Sequence, residues 1–325
     1  MQRIHCWLVT ALLAVIFTGC GSSGDDTDEI RLAVIPMGTT HEFWKSIHAG
    51  ARTASKELGV SIIWKGPLKE DDRDEQIQIV ETFVSAGVDA ILLSPLDDRA
   101  LIPPVRDAKR FGIPTIIFNS ALQGDHHEAF VATDNYRGGV LGAERIGDLM
   151  GGTGTLILIR VLEGSEGSTL REEGFLDTIR DRFPTIDILS DNQYGGITTE
   201  TAYRTAENLL NRFDDVDGIF TPNESTTFGC LRALQERGLA GKVTFVGFDS
   251  SQKLIEALEK QELQGLVVQN PVMMGYRSVQ IAVKLLKGEP YEKHVDTGVV
   301  MATPENMHDE EIGKLLRPDW GVLEE

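Results

Sequence analysis

Polar and aromatic side chains follow most of the short apolar runs in this sequence, and they are the residues best suited to chemistry. They combine aromatic rings with amide, hydroxyl, carboxylate and guanidinium groups. The segments concerned are residues 37–44, 94–97, 119–120, 164–171, 194–198, 223–224, 248–249 and 269–270. A sugar ring has weakly polar C–H faces that lie against aromatic rings, and a rim of hydroxyls that need planar hydrogen-bonding partners. These side chains therefore favour binding of a small polar ligand, most of all a sugar.

Two glycine-containing segments look like catalytic motifs but have the wrong context. Residues 151–154, Gly-Gly-Thr-Gly, precede an apolar run instead of following one, whereas a phosphate-binding loop requires the reverse order. Residues 164–167, Gly-Ser-Glu-Gly, lack the glycine spacing of a nucleophile elbow. The sequence therefore predicts neither phosphoryl nor acyl transfer, and we expect a binding protein that is not an enzyme.

The residues that could bind a metal ion or act as a nucleophile also lack a suitable arrangement in the sequence. His126 and His127 are adjacent in an expected surface loop, and the side chains of neighbouring residues diverge, which disfavours a shared metal ion. The acidic run at residues 70–75 lacks the spacing of a calcium loop, and we expect it at a helix N-terminus, where negative charge is favourable. Cys230 is expected to be a small buried side chain. We therefore predict no metal site and no cofactor.

The first twenty residues have the pattern of an export signal. Arg3 precedes an apolar run over residues 7–17 that is too short to span a bilayer stably. The run leads through Thr-Gly to Cys20, which resembles the lipobox of a bacterial lipoprotein; an ordinary secretory signal with an incidental cysteine is the alternative. We expect a signal peptide at residues 1–19 and a lipidated N-terminus and tether at residues 20–29. The mature protein would lie in the periplasm or on the outer face of the cytoplasmic membrane, anchored at Cys20.

Length and charge narrow the class further. The 325 residues, 41% of them apolar, can bury more core than one compact unit usually holds, so two domains are expected. Lys and Arg number 31 against 50 Asp and Glu, and the formal net charge is −19. Because this charge repels nucleic acid and anionic membrane surfaces, we expect neither as a direct partner.

Short β-branched runs alternate with amphipathic segments, which is typical of βαβ units and a parallel sheet. The predicted strands are residues 31–36, 60–64, 90–94, 115–118, 129–132, 155–160, 186–190, 218–221, 243–247 and 266–269. Helices are expected to begin near Glu42, Asp72, Asp98, Asn135, Glu166, Thr198, Ser225, Ser251 and Val272. The fold class is therefore α/β, with two doubly wound parallel sheets. In such sheets the ligand site lies beyond the carboxyl ends of the strands.

Four short motifs together resemble the periplasmic binding proteins of the ribose and galactose type. They are Ala132-Thr133-Asp134-Asn135, Arg171-Glu172-Glu173-Gly174-Phe175, Thr221-Pro222-Asn223-Glu224 and Val246-Gly247-Phe248-Asp249, within a resemblance that covers roughly residues 30–300. The resemblance implies two Rossmann-like lobes joined by a three-segment hinge, closing on a ligand held between them. The lobes would be residues 30–133 with 270–296, and residues 134–269 with 297–325, where the last stretch is a C-terminal tail. A monomer that delivers a sugar to the membrane permease of an ABC transporter is also implied.

The same resemblance assigns roles to individual residues. Phe43 and Trp44 would lie on one face of the sugar ring and Phe248 on the other, although neighbours on a helix diverge and one of the pair could be structural. The hydroxyl-binding residues would be Arg171, Asn223, Asp249 and Gln269. The other predicted site residues are His41, Ser94, Asn119, Ser120, Thr133 and Ile197. Arg171 could instead form a surface ion pair, and Asp249 could cap the helix that follows it.

Several positions depart from the ribose and galactose pattern. Asn119-Ser120 stands where a charged pair is common, His41 where Asn or Asp is usual, and Met37 and Ile197 where polar or aromatic residues are frequent. Because amide and imidazole groups can donate or accept, a neutral sugar or polyol other than ribose is expected. A larger ligand, a nucleoside or a sugar acid stays open, as does a sensory receptor for a kinase or chemoreceptor. A ligand-responsive repressor is disfavoured, since a basic helix-turn-helix would precede the first strand.

Overall fold

Residues 29–324 are described by a computed structural model. The predicted signal peptide, Cys20 and all but the last residue of the predicted tether lie outside the described residues. Within the described part, no helix combines the length and the apolar character needed to cross a membrane. The same residues contain no cluster of three or more His, Cys, Asp or Glu side chains that could hold a metal ion.

The first lobe is a parallel sheet with helices on both faces. Its strands are β1 (Arg31–Ile35), β2 (Ser61–Trp64), β3 (Ala90–Leu93), β4 (Thr115–Phe118), β5 (Ala129–Ala132) and β11 (His294–Asp296), in the order β11-β5-β4-β3-β1-β2. Its helices are α1 (Glu42–Leu58), α2 (Arg73–Ala86), α3 (Ile102–Arg110) and α9 (Pro271–Leu286). Successive strand residues belong to different apolar clusters, Ile116 to one and Ile117 to the other. Because strand side chains alternate between faces, each cluster covers one face of the sheet.

The second lobe repeats this arrangement. Its strands are β6 (Thr153–Arg160), β7 (Thr185–Tyr194), β8 (Gly218–Phe220), β9 (Thr244–Phe248), β10 (Gly265–Gln269) and β12 (Val299–Ala302), in the order β12-β10-β9-β8-β6-β7. Its helices are α4 (Asn135–Leu149), α5 (Glu166–Arg182), α6 (Thr199–Arg212), α7 (Glu224–Glu236), α8 (Gln252–Glu259) and α10 (Glu310–Leu316). Only the edge strand β12 runs antiparallel to its neighbour among the strand pairs described. The predicted fold class, two α/β lobes with doubly wound sheets, is confirmed.

Helix α3 begins later than the sequence predicted. It starts at Ile102 and not near Asp98, because the Asp97 carboxylate accepts hydrogen bonds from the backbone N–H groups of Arg99 and Ala100 and holds them in a turn. Prolines then occupy the first helical turn, where a missing N–H costs nothing. The antiparallel strand β12 was not predicted either, since its half-buried residues show no strong alternation.

The described chain passes between the two sheets three times. The first passage, at residues 133–134, joins β5 to α4, and the second, at residue 270, joins β10 to α9. The third, at residues 297–298, joins β11 to β12. Three adjacent connections of this kind allow the lobes to rotate relative to one another about a shared axis.

Both lobes contain helices that are in direct backbone contact through glycines. A Cβ atom on Gly139 of α4 would lie 1.9 Å from the carbonyl oxygen of Arg171 in α5, and one on Gly174 would lie 2.2 Å from that of Tyr136. In the first lobe, α1 and α9 meet in the same way through Gly50 and Gly275. These helices approach more closely than any side chain would permit.

The C-terminal tail joins the two lobes. Leu316 of α10 is buried in the core of the second lobe, and Arg317 forms an ion pair of 2.6 Å with Glu259 of α8. The chain then leaves that lobe: the indole Nε1 of Trp320 donates to Ser46 Oγ of α1 at 3.0 Å, and Lys45 Nζ lies 4.5 Å from the Trp320 ring centroid. Within the predicted C-terminal tail, Trp320 therefore packs on the first lobe.

Replacement of Trp320 by Ala is expected to lower the free energy of unfolding by about 1–2 kcal/mol, because a half-buried indole and its hydrogen bond are lost. Trp320→Phe is the matched control, since it retains a ring beside Lys45 but has no N–H for Ser46, and we expect a smaller loss. Urea unfolding of the two variants and the parent would measure both. An unchanged midpoint in Trp320→Ala would show that the tail adds no stability.

Candidate functional site

Residues that follow strands of both sheets line one cavity of about 60 Å³. One buried water needs roughly 10–15 Å³, so the cavity holds several waters or a small ligand in their place. The structure brings together ten of the predicted site residues on its wall: His41, Phe43, Trp44, Asn119, Ser120, Arg171, Ile197, Asn223, Asp249 and Gln269. The placement of the cavity at the carboxyl ends of parallel strands is the one expected for this fold class.

Arg171 is buried and held from several sides. Its Nε donates to Asn135 Oδ1 at 2.8 Å and its Nη1 donates to the carbonyl oxygen of Pro222 at 2.9 Å. The guanidinium lies 4.0 Å from the ring centroid of Phe248, and Nη1 is 3.9 Å from Asp249 Oδ2. Arg171 is therefore no surface ion-pair partner but a fixed cation in the wall of the cavity.

Asp249 connects three elements of the second lobe. Its Oδ1 accepts a hydrogen bond of 2.6 Å from Gln269 Nε2 at the end of β10, and its Oδ2 accepts one of 3.1 Å from the backbone N–H of Glu224 at the start of α7. The cap position of α8 belongs to Ser251, so Asp249 does not cap that helix. Burial raises the pKa of the Asp249 carboxyl, and the positive charge of Arg171 opposes that shift.

Asn119 occupies the place in the first lobe that Asp249 occupies in the second. Asn119 follows β4 and Asp249 follows β9, which hold the same position in the spatial order of their sheets. Each residue has a φ angle of 65°. Each backbone N–H bonds to the neighbouring strand, that of Asn119 to Val131 and that of Asp249 to Val267. The left-handed region costs an ordinary residue about 1 kcal/mol or more, and Asn and Asp tolerate it best. Both side chains are thereby turned from the sheet toward the cavity.

Two buried amide oxygens of the cavity wall have no hydrogen-bond partner. They are Oδ1 of Asn119 and Oε1 of Gln269, whose residues are only 7% and 2% exposed. The amide nitrogen of Asn119 donates to Ser94 Oγ at 3.2 Å, and that of Gln269 to Asp249, so both oxygens are left as acceptors. A buried acceptor without a donor costs on the order of 1–3 kcal/mol, which a ligand that donates to it would recover.

Two glutamates from opposite lobes flank His41. Glu70 follows β2, its Oε1 accepts from Trp44 Nε1 at 2.6 Å, and it lies 3.7 Å from His41 Nε2. Glu224 begins α7, its Oε2 accepts from the backbone N–H of Phe43 at 3.3 Å, and its Oε1 lies 4.0 Å from His41 Nδ1. Burial raises the pKa of both carboxyls, and the charge of Asp249 contributes further to that of Glu224, whose pKa is about 8.

Phe43 and Trp44 both line the cavity although they are neighbours on α1. Their ring centroids are 5.0 Å apart and their planes meet at 80°, so the rings form a corner and not a single surface. Trp44 is 3% exposed and belongs to the apolar core of the first lobe, while Phe43 is half-buried. Trp44 therefore packs in the core of the first lobe and also forms part of the cavity wall.

The lobes touch each other around the cavity. The N–H of Gly167, in the first turn of α5, donates to Ser120 Oγ at 3.3 Å, and Glu166 Oε2 accepts from the backbone N–H of Ala121 at 3.2 Å. The backbone N–H of Phe43 also donates to Glu224. The first turns of α5 and α7 in the second lobe are thus hydrogen-bonded to the first lobe. The cleft is therefore closed.

Three predicted site residues do not line the cavity. Phe248 is fully buried against Gly138 and under the Arg171 guanidinium, so it cannot lie on a face of the ligand as expected. Ser94 is fully buried behind Asn119 and positions it. Thr133 is 5% exposed at the first passage between the sheets.

Asn223 lines the cavity, but its side chain is engaged in the protein. Its Oδ1 accepts from the backbone N–H of Thr226 at 3.0 Å and thereby caps α7, and its Nδ2 donates to Ser225 Oγ at 3.1 Å. The same residue therefore fixes the start of α7, which presents Glu224.

Of the wall residues, only Glu70, Val161 and Leu162 lie outside the segments singled out from the sequence, but nine in all were not assigned individually. These nine are Met37, Glu70, Leu96, Val161, Leu162, Ser165, Gly167, Ser168 and Glu224. Glu70 was placed with an acidic run at a helix start, but only Asp72 caps α2, and Glu70 turns into the cavity. Glu70 follows strand β2, but so do Asp71 and Asp72, so the rule that identified Asn119 does not single out Glu70.

The chain is similar to known proteins over most of its length. The family model described as periplasmic binding protein domain matches residues 32–290. A D-ribose/D-allose-binding protein from Pseudomonas aeruginosa is 27% identical over 310 residues, which cover 89% of this chain and 94% of that protein.

Two solved structures share the fold of this chain. A carbohydrate transporter solute binding protein from Agrobacterium radiobacter, in complex with D-arabinose, is 31% identical, with a TM-score of 0.86 over 90% of this chain and 100% of its own. An ABC transporter solute binding protein from Agrobacterium vitis with bound D-fucose is 34% identical, with a TM-score of 0.85 over 88% of this chain and 100% of its own. The resemblance carried by the four sequence motifs is confirmed: the chain belongs to the periplasmic binding protein domain family and is related to its ribose-type members.

Proposed function

We propose that this protein captures a small sugar or a related polyol between its two lobes, releases it unchanged and delivers it to the permease of an ABC transporter. The observation that carries the proposal is the surplus of hydrogen-bond acceptors inside a closed cleft. The amide oxygens of Asn119 and Gln269 have no donor, and the carboxylates of Glu70, Glu224 and Asp249 share the same cavity. A polyhydroxylated ligand presents the donors that such a wall requires.

The aromatic corner supports the same ligand class. Phe43 and Trp44 offer apolar surface beside the polar groups, and a sugar ring has C–H faces that fit against such surface. Of the three relatives described above, one is named for D-ribose and D-allose, one is bound to D-arabinose and one to D-fucose. Relatives of this kind are named as binding proteins for transport, which supports capture without conversion.

We also propose that the protein is exported and attached to a membrane by a lipid. The N-terminal pattern supports secretion and acylation at Cys20, which would keep the receptor next to a membrane permease as a lipid-anchored monomer. Labelling of the expressed protein with a radioactive or clickable fatty acid would test this. Loss of the label in a Cys20→Ala variant is expected, and a label that persists would contradict the assignment.

A thermal-shift screen would test the ligand class. The protein is screened against pentoses, hexoses, polyols, sugar acids, disaccharides and nucleosides, and at least one sugar or polyol is expected to raise the unfolding midpoint, because it binds the folded form alone. A binder would then be recovered after prolonged incubation and analysed for conversion. A screen in which no sugar or polyol shifts the midpoint, or in which the binder is converted, would contradict the proposal.

A further inference from the structure

Negative charge exceeds positive charge on the cavity wall. Of the described residues that line it, Glu70, Glu224 and Asp249 bear carboxyl groups, whereas Arg171 alone bears a permanent positive charge. His41 adds a second positive charge only when it is protonated. Glu166, at the start of α5, adds a further carboxylate just behind the wall.

The one permanent cation is committed to its own lobe. Arg171 donates to Asn135 and to the carbonyl of Pro222, and the carboxylate beside it is that of Asp249. Glu70 and Glu224 come from opposite lobes and meet across the cavity, with His41 as the titratable group within 4.0 Å of both. Closure of the lobes therefore brings two carboxyl groups together without a fixed counter-charge.

We propose that the natural ligand is an amino sugar, whose ammonium group is held by the carboxylates of Glu70 and Glu224 while its hydroxyls satisfy the buried amide oxygens of Asn119 and Gln269. The inference rests on the proposed function, since it specifies the sugar. An ammonium group carries donors only and a positive charge, so it matches the paired carboxyl groups of Glu70 and Glu224. Its hydrogen bonds to carboxylates are charge-assisted and therefore stronger than those of a hydroxyl.

The same charges disfavour other ligands. A sugar acid would bring a fourth carboxyl group into a closed site that already holds those of Glu70, Glu224 and Asp249, and like charges within such a site repel strongly. An uncharged sugar could satisfy the amide oxygens, but it would bring no positive charge to Glu70 and Glu224.

A proton should be released when the ammonium group binds. The pKa of Glu224 is about 8, chiefly because of burial, so at about pH 6 the carboxyl is protonated in the empty closed form while a sugar amine is also protonated. A bound cation favours the ionised carboxylate, and the carboxyl proton then leaves to solvent. Glu42, Glu70, Asp249 and His41 face the same carboxyl. Burial raises the pKa of the Glu70 and Asp249 carboxyls as well, so they too can lose a proton when a cation binds.

Isothermal titration calorimetry at about pH 6 would test the inference with matched ligands. For the gluco, galacto and manno series, the 2-amino sugar, its N-acetyl derivative, the parent hexose and the uronic acid are compared. We expect one amino sugar to bind at least about tenfold more tightly than its parent hexose, the N-acetyl derivative to lose that preference, and the uronic acid to bind weakest. Two buffers of different ionisation enthalpy should reveal net proton release with the amino sugar.

Glu224→Gln should reduce the ratio of amino-sugar to hexose affinity toward one and lower the number of protons released. Glu236→Gln is the matched control, because it removes an exposed carboxylate at the other end of α7, and it should retain both. A parent hexose that binds as tightly as its amino sugar would overturn the inference and leave the proposed function intact. Failure of every ligand in the panel, together with an empty thermal-shift screen, would contradict both.

Discussion

Asp249→Asn is expected to weaken binding of the cognate sugar by about 2 kcal/mol or more, roughly thirtyfold in the dissociation constant. Both carboxylate oxygens of Asp249 accept hydrogen bonds, from Gln269 Nε2 and from the backbone N–H of Glu224. An amide would place a donor against one of these donors, and Arg171 would lose the carboxylate that lies 3.9 Å away. Calorimetric titration of the sugar found in the screen would measure the loss.

Asparagine is the informative replacement at this position because of the backbone. The φ angle of Asp249 is 65°, and the corresponding residue of the other lobe is Asn119 with the same φ, so the chain itself shows that an asparagine fits this turn. Far-ultraviolet circular dichroism should therefore stay unchanged. Asp249→Ala should abolish the ligand-induced thermal shift as well, with an added cost of strain in the left-handed region. Retained binding in both variants would remove Asp249 from the site.

Gly139→Ala is expected to reduce the free energy of unfolding by about 2–3 kcal/mol. The new methyl group would lie 1.9 Å from the carbonyl oxygen of Arg171 and 2.7 Å from the backbone nitrogen of Phe175, so α4 and α5 must separate. Since α5 presents Arg171 to the cavity, the variant should also bind its ligand more weakly. Urea unfolding gives the first quantity and calorimetric titration the second.

The control for this prediction is a helical glycine with room around it. In Gly313→Ala the nearest atom to the new Cβ is the carbonyl oxygen of Met307 at 3.8 Å, an ordinary van der Waals distance. Alanine is the better helix former by about 1 kcal/mol, so this variant should be neutral or slightly more stable. Equal stability of Gly139→Ala and Gly313→Ala would contradict the close contact between α4 and α5.

The sequence predicted the lobes well because their strands are continuous apolar runs between marked turns. Strand β4 is Thr-Ile-Ile-Phe, with four buried residues, and no helix periodicity competes with it. The rule that ligands lie beyond strand ends then located Asn119, Arg171 and Asp249 on the cavity wall without any knowledge of tertiary contacts. Prediction succeeded where one local pattern decides the outcome.

Phe248 shows what a motif alone does not determine. It is the last residue of β9, and it shares an apolar cluster with Val246, two positions earlier, while Phe245 belongs to the cluster on the other face. Side chains two apart on a strand point to the same face, so the ring of Phe248 packs beneath α4 and only the next residue, Asp249, reaches the cavity. Strand alternation would have given this result, whereas the motif as a whole suggested a ligand contact.

The positions of Glu70 and of the C-terminal tail are fixed by contacts between residues that are far apart in the sequence. Glu70 is fixed by the indole of Trp44, 26 positions away, and nothing in the acidic run distinguishes it from Asp72, which caps a helix. Trp320 meets Ser46 across 274 positions, and the matched family region ends at residue 290. No local sequence pattern records such pairings.

The position of the tail determines which motion it can oppose. Leu316, Pro318 and Trp320 border a small space together with Gln269 and Pro271, so the tail lies beside the second passage between the lobes. Points close to a rotation axis move least when a hinge opens, and the lever arm of the Trp320 contact is correspondingly short. Rotation of one lobe about its own long axis, by contrast, would shear the contact directly. We therefore expect the tail to resist torsion between the lobes more than opening of the cleft.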